Sequence, residues 1–314
     1  MSAALPLIDV ACGVLVDADG RVLMAQRPPG KIAAGYWEFP GGKIEPDETA
    51  LAALSRELRE ELGVEVRAAE PLIDFVHPYR DRRVRLRTYR VTAYRGQPQG
   101  QEAQTLAWRP VTRLLELQPQ LPTVAPIRAA LQLPAHYAWT PAVAAPEALP
   151  AADARRLPPG SLIRLRQPGW TSAVYAAAAP AWVAAQRAAG WQPVLDDPAL
   201  ARALQTGVHF SEATWRTCAQ RPLPAEQWCL ASIHAATPPE ALHPLSLDAW
   251  VLGSVAPTPS HPGGETLGWP RFEALTRAMP VPVYALGGLG PQQLGEARQH
   301  GAQGIAAIRG YFGG

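Results

Sequence analysis

The chain has 314 residues and a formal net charge of +2, a length that suits two domains and a balance that excludes bulk electrostatic binding of nucleic acid. Its longest apolar run, 172–185, is too short to span a bilayer and contains Pro180, so no membrane partner is expected. Cys12, Cys218 and Cys229 form no CxxC pair, which argues against a disulfide framework or zinc site, and with no visible signal peptide a reducing cytoplasm is expected. Charge is uneven: 33 of residues 1–133 are charged, about 25%, against 23 of the remaining 181, about 13%. Two differently built domains are expected, 1–133 and 134–314.

In chain order, 8–16 alternates loosely, stops at Asp17-Ala-Asp-Gly20 and resumes at 22–26, which predicts a β-hairpin. Tyr36–Phe39 reads as a short strand stopped by Pro40-Gly41-Gly42. Leu51, Leu54, Leu58 and Leu62 recur at helical spacing, and Gly63 ends that helix, predicted over 49–62. Strands are predicted at 72–77 and 84–94, a polar loop around Glu102, and a closing helix at 126–133. The first domain is thus an α+β sheet with a central helix. Beyond it, strand-like apolar runs recur at 136–141, 161–166, 193–196, 206–210, 229–234, 248–255, 281–287 and 304–308. Ala-rich helical stretches at 180–189, 198–205 and 291–300 separate several of them, which predicts a compact parallel β/α barrel.

The chemistry concentrates in one segment, Gly42-x5-Glu48-x7-Arg56-Glu57-Leu58-x-Glu60-Glu61-x-Gly63-Val64. Glu57, Glu60 and Glu61 stand at i, i+3 and i+4 and share a helical face, where like charges cost a few tenths of a kcal/mol per pair. Hard oxygen ligands on a rigid face suit Mg²⁺ or Mn²⁺; the bland alternative is a solvated acidic face. Arg83, Arg85 and Arg87 alternate along a strand, either as a phosphate-facing strip or as a solvated outer face.

All nine specified positions of that segment match the Nudix box, and residues 7–133 resemble the Nudix hydrolases, most closely the MutT type. The resemblance implies an α/β/α sandwich. It makes Glu57 and Glu61 the principal metal ligands, with Glu60, the Gly41 carbonyl and, from outside the box, Glu102 beside them. Arg56 is implied to orient a catalytic glutamate and Glu48 to brace the loop. Arg27 and Arg82 match substrate arginines, and Trp37-Glu38-Phe39-Pro40 matches the segment lining the base site. The activity implied is Mg²⁺-dependent hydrolysis of oxidised nucleoside triphosphates such as 8-oxo-dGTP to the monophosphate and pyrophosphate. Two departures bear on the base: Val124 or Thr123 stands where an asparagine reads the purine, and Ile32 lies near the place of an expected histidine.

In the second domain, Arg164-Leu-Arg166-Gln167, Val194-Leu-Asp196-Asp197, Gly207-Val-His209-Phe210, Ser232-Ile-His234, 252–261 and Ala285-Leu-Gly-Gly-Leu289 stand in order. This series resembles the thiamine-phosphate synthase and TenI-type barrels. It implies a phosphate cradle at Gly287 and Gly288, and puts His234 at the acid/base position of TenI-type tautomerases. Pro168 and His261 replace lysines of the synthase pattern, Asp196-Asp197 replaces Asn-Asp, and the aspartate expected near 212–214 is missing, so synthase activity is not expected. Two alternatives stay open. The chain hydrolyses thiamine-type diphosphates while the barrel binds or isomerises a thiazole phosphate, or the barrel is a non-catalytic sensing or structural module. The tryptophans at 170, 182, 191, 215, 228, 250 and 269 read as packing residues.

Overall fold

The structure, a computed structural model, describes residues 5–234, 247–258 and 265–312. Its residues fall into two compact units, the first Met1–Gln132 with Arg277–Pro280 and the second Leu133–Thr276 with Val281–Gly314. Among the described residues no helix is long and apolar enough to cross a membrane, and Cys12, Cys218 and Cys229 are free thiols.

The first unit is organised by strand β1 (Leu7–Leu15). Its last five residues are buried on both faces: Cys12 and Val14 enter one apolar cluster, Ala11 and Leu15 another. It pairs antiparallel with β4 (Gly41–Lys43) and parallel with β6 (Arg83–Arg95), which pairs antiparallel with β5 (Glu65–Pro78). A second sheet joins β2 (Val22–Gln26) to β3 (Trp37–Glu38) and β7 (Thr105–Arg109). The predicted hairpin of 8–16 with 22–26 is therefore corrected. The two strands share only the bridge Val16–Val22 and continue into different sheets. The turn forms as expected, with Asp17 Oδ1 accepting the Asp19 and Arg21 N–H groups, but burial of β1 on both faces places it centrally in its own sheet. The predicted strands 72–77 and 84–94 extend into the long ribbon of β5 and β6.

Helix α1 (Ala50–Leu62) starts at the Thr49 cap and stops at Gly63 in the left-handed region (φ 69°), so its predicted ends hold. Its buried stripe is Ala50, Ala53, Leu54, Leu58 and Leu62, whereas Leu51 remains 47% exposed. Small alanines rather than Leu51 continue the stripe. Helix α2 (Val124–Gln132) begins two residues before the predicted start.

The second unit is a closed barrel of eight parallel strands: β8 (His136–Trp139), β9 (Leu162–Arg164), β10 (Gln192–Leu195), β11 (Gly207–Phe210), β12 (Cys229–His234), β13 (Ala249–Gly253), β14 (Val283–Leu286) and β15 (Gly304–Ala307). Each lies within or close to one of the eight predicted runs. Helices α3 (Ser172–Ala188), α4 (Pro198–Ala203), α5 (Glu212–Thr217), α6 (Gly268–Thr276) and α7 (Leu294–Gln299) lie between strands, and α3 accommodates Pro180 internally. Trp215 and Trp250 are fully buried with rings 4.9 Å apart, as packing residues.

Because Leu58 anchors α1 against β1 and Leu51 does not, Leu58→Ala is expected to destabilise the first unit by about 2–5 kcal/mol. Leu51→Ala should change stability by at most about 0.5 kcal/mol. Urea unfolding of both variants checks this, and equal losses would contradict the assigned stripe.

Candidate active site

Glu57 and Glu61, one turn apart on α1, project at the edge of its buried stripe, while Glu60 turns toward solvent. Side-chain exposure is 16% for Glu57 and 54% for Glu60. The Glu61 carboxylate accepts the Gly41 N–H at 3.0 Å. Burial, with the carboxylates of Glu38, Glu57 and Glu102 nearby, pushes its pKa up to about 7. Gly42 leaves room for Glu57: a methyl group on its Cα would overlap the Glu57 carboxylate and force it to move.

Arg56 ties these parts together. Its Nε and Nη2 donate to both oxygens of Glu48 at 3.1 and 3.0 Å, its Nη1 to Glu57 Oε1 at 2.7 Å, and its Nη2 also to the Lys43 carbonyl at 2.9 Å. The guanidinium hydrogen bonds hold Glu48 below the usual carboxylate range. Glu48 itself closes the loop by accepting the Glu45 N–H. One guanidinium therefore orients Glu57 and braces the box loop against its helix.

Glu102 lies in the loop before β7, where its Oε2 meets the Lys31 ammonium at 3.0 Å. Among the described residues no three acidic, histidine or cysteine side chains already converge on one point; Glu60 faces outward and Glu102 faces Lys31. The donor set still fits a divalent cation. Its ligands are hard oxygens, and the crowded charge around Glu61 is what such an ion neutralises.

Of the expected substrate residues, Arg27 does not stand free. Its Nη1 donates to Glu38 at 2.7 and 2.8 Å and its Nε to the Ile32 carbonyl at 2.7 Å, so it ties the 28–35 loop to β3. Burial raises the Glu38 carboxyl despite that arginine. Phe39 is buried, and the Pro40 carbonyl accepts the Gly13 N–H. Arg82 pairs with Asp81 and lies 5.0 Å over the Tyr79 ring. Val124 is 1% exposed inside the core, so it reads no base edge, and the neighbouring Thr123 is buried as well. Arg85 and Arg87 pair with Asp74 and Asp9, which favours the outer-face reading of the arginine strip. Lys31 and the buried amide of Gln104 escaped the sequence reading, because their partners Glu102 and Glu61 are distant in the chain.

In the barrel, His209 is buried between the Tyr137 hydroxyl (3.0 Å from Nδ1) and Ser232 Oγ (2.7 Å from Nε2). Burial drives its pKa well below 6.5, helped by Arg164 and Arg166. Arg164 Nε donates to Asp196 Oδ1 at 2.6 Å, and its guanidinium lies 4.4 Å over the Trp139 ring. His234 is 77% exposed; its backbone N–H donates to Glu212 Oε2 at 3.1 Å while its ring Nε2 stands 4.0 Å from that oxygen. Gly287 and Gly288 have φ 99° and 68°, and a Cβ on either would meet Ser254 or the 256–257 backbone, so both serve a close approach of loops. His261 lies outside the described residues.

Residues 6–131 match the NUDIX domain and residues 141–311 the thiamine monophosphate synthase family. The CTP pyrophosphohydrolase of Escherichia coli (strain K12) is 41% identical over 102 residues, 32% of this chain and 75% of that protein. The 8-oxo-dGTP diphosphatase of Proteus vulgaris is 40% identical over 90 residues, 29% of this chain and 80% of that protein. Among solved structures, that of the E. coli ORF135 protein is similar at 37% identity, covering 40% of this chain and 89% of that one, with a TM-score of 0.37. The chain belongs to the Nudix hydrolases, of the MutT type, in its first domain and to the thiamine monophosphate synthase family in its second.

Two outcomes follow from this geometry. Gly42→Ala should displace the Glu57 carboxylate and lower pyrophosphohydrolase kcat/KM by about 10–100-fold, measured against a wild-type control of equal thermal midpoint. His209 binds its proton more readily unfolded than folded, so the barrel loses stability as pH falls below about 6.5, by up to ~1.4 kcal/mol per pH unit. His209→Gln should flatten that slope in urea unfolding between pH 7 and 5.

Proposed function

We propose that the chain is an Mg²⁺-dependent pyrophosphohydrolase of nucleoside triphosphates, 8-oxo-dGTP among them, releasing the monophosphate and pyrophosphate. The observation that carries this is the Glu61 carboxylate, held on the Gly41 N–H amid three other carboxylates with its pKa raised to about 7. Such a site gains most from a divalent cation. Glu57, Glu60, Glu61, Glu102 and the Gly41 carbonyl are its proposed ligands. Once bound, Mg²⁺ neutralises phosphate charge and lowers the pKa of water. Arg56 orients Glu57 for that task. Glu38, Phe39 and Pro40, with Arg82 and Tyr79, line the proposed base side. Arg27 acts on the substrate through the loop it holds, rather than by a free guanidinium.

Cytidine triphosphate is the second reading of the substrate. Val124 is buried where a base-reading asparagine is expected, and one relative at 41% identity is named for CTP.

We propose further that the barrel has no thiamine-phosphate synthase activity. Asp196, at a position the synthase pattern gives to asparagine, is neutralised by Arg164, and Pro168 stands where that pattern has lysine. A phosphorylated thiazole is the proposed barrel ligand. Arg166 supports it: the guanidinium is half-buried, and burial together with Arg164 pushes its pKa down, so an anion at that strand end is favoured.

A panel of 8-oxo-dGTP, dGTP, CTP and thiamine diphosphate with Mg²⁺ tests the hydrolase. A triphosphate should yield monophosphate and pyrophosphate, and Glu61→Gln should lower kcat/KM by at least about 100-fold. No turnover of any triphosphate, or full activity in Glu61→Gln, would refute the proposal.

A further inference from the structure

Glu102 lies outside helix α1, so its placement relative to Glu57 and Glu61 depends on whatever ties its loop to that helix. The tie is Gln104. Its side chain is buried, at 9% exposure. Its Oε1 accepts the Glu102 N–H at 2.7 Å, and its Nε2 donates to the Glu61 carbonyl at 2.9 Å. The Glu61 carbonyl also accepts the Gln101 N–H at 2.9 Å, and the Leu62 carbonyl accepts the Gln99 N–H at 3.0 Å. These carbonyls belong to the last turn of α1, where no intrahelical donor remains. The loop over 99–104 therefore caps the helix that carries the carboxylates.

Within that cap Gln104 has a distinct place. A single planar amide, donor on one side and acceptor on the other, joins the peptide groups of Glu61 and Glu102. A shorter or apolar side chain cannot span both. Loop geometry leaves little room for a substitute: a Cβ on Gly100 would overlap the Gln104 carbonyl, and Ala103 takes φ 61°. Immediately after it, Thr105 pairs with Gln26 in the second sheet, which fixes the amide from behind. The other restraint on Glu102, its ion pair with Lys31, joins side chains 53% and 43% exposed and yields easily to a competing cation.

We infer that Gln104 is a positioning residue of the metal site: its carboxamide sets the separation of Glu61 and Glu102 and thereby the affinity for a divalent cation. This rests on the reading above that both glutamates are ligands. Groups that hold metal ligands in place change affinity or activity by about 10–100-fold when removed.

The test is calorimetric titration of the full chain with Mn²⁺ alone, on wild type, Gln104→Met, Glu102→Gln and the double variant, with thermal midpoints recorded alongside. Gln104→Met is expected to weaken Mn²⁺ binding about 10-fold or more. In the Glu102→Gln background it should weaken binding far less, because the two changes remove one function. Gln104→Asn, which keeps the amide but cannot span both peptides, should also weaken binding, and replaces Gln104→Met if that variant does not fold. Unchanged Mn²⁺ affinity in a folded Gln104 variant, or losses that multiply fully in the double variant, overturns the inference while leaving Glu102 as a ligand. No loss in Glu102→Gln itself overturns both.

Discussion

Like-charge repulsion on one face of α1 is the constraint around which the first domain is built. Glu57, Glu60 and Glu61 oppose helix formation by a few tenths of a kcal/mol per close pair, and partial burial of Glu61 adds a desolvation cost that its raised pKa records. The helix persists because tertiary contacts outweigh that local penalty. Leu54, Leu58 and Leu62 are fully buried, Thr49 and Gly63 cap the ends, and Arg56 shares its fork between Glu48 and Glu57. Strand β1 supports both halves of the arrangement. Cys12 pairs with Gly41, and the Leu54 and Leu58 side chains close over Gly13. Loop and helix thus meet at Gly13, whose N–H also donates to the Pro40 carbonyl.

The barrel handles polarity in the opposite way. Arg164 with Asp196, and Tyr137 with His209 and Ser232, satisfy one another. Gln167 spends its amide on Thr140, the Pro141 carbonyl and the Val143 N–H. Closed networks of this kind rigidify a core and specify its packing. The contrast follows the uneven charge of the chain: the first domain keeps acidic groups crowded, whereas the barrel keeps few charges and pairs several of those.

Helix α1 and the eight barrel strands were legible because their signals are local. A leucine periodicity, a terminal glycine and short apolar runs each lie within one element. The hairpin was misread because alternation in β1 looks the same whatever lies beside it, and its real neighbours begin at Gly41 and Arg83. Site residues divide in the same way. Glu57, Glu61 and Arg56 sit on one helix at fixed spacing, so pattern sufficed to group them. Lys31 meets Glu102 across 71 positions and Gln104 meets Glu61 across 43, and nothing in either residue type announces such a partner. The bond from Arg27 to Glu38, 11 positions away, likewise arises only when β2 and β3 pair.

The chain carries lysine at two positions only, 31 and 43. Lys31 holds Glu102, and Lys43 lends its carbonyl to Arg56, so both border the carboxylate site. Both lysine side chains of this sequence therefore belong to the first domain, and a lysine-directed label finds no lysine among residues 134–314. A label lost from Lys31 when Glu102 is occupied would register that ion pair directly, because Lys31 Nζ meets Glu102 at 3.0 Å.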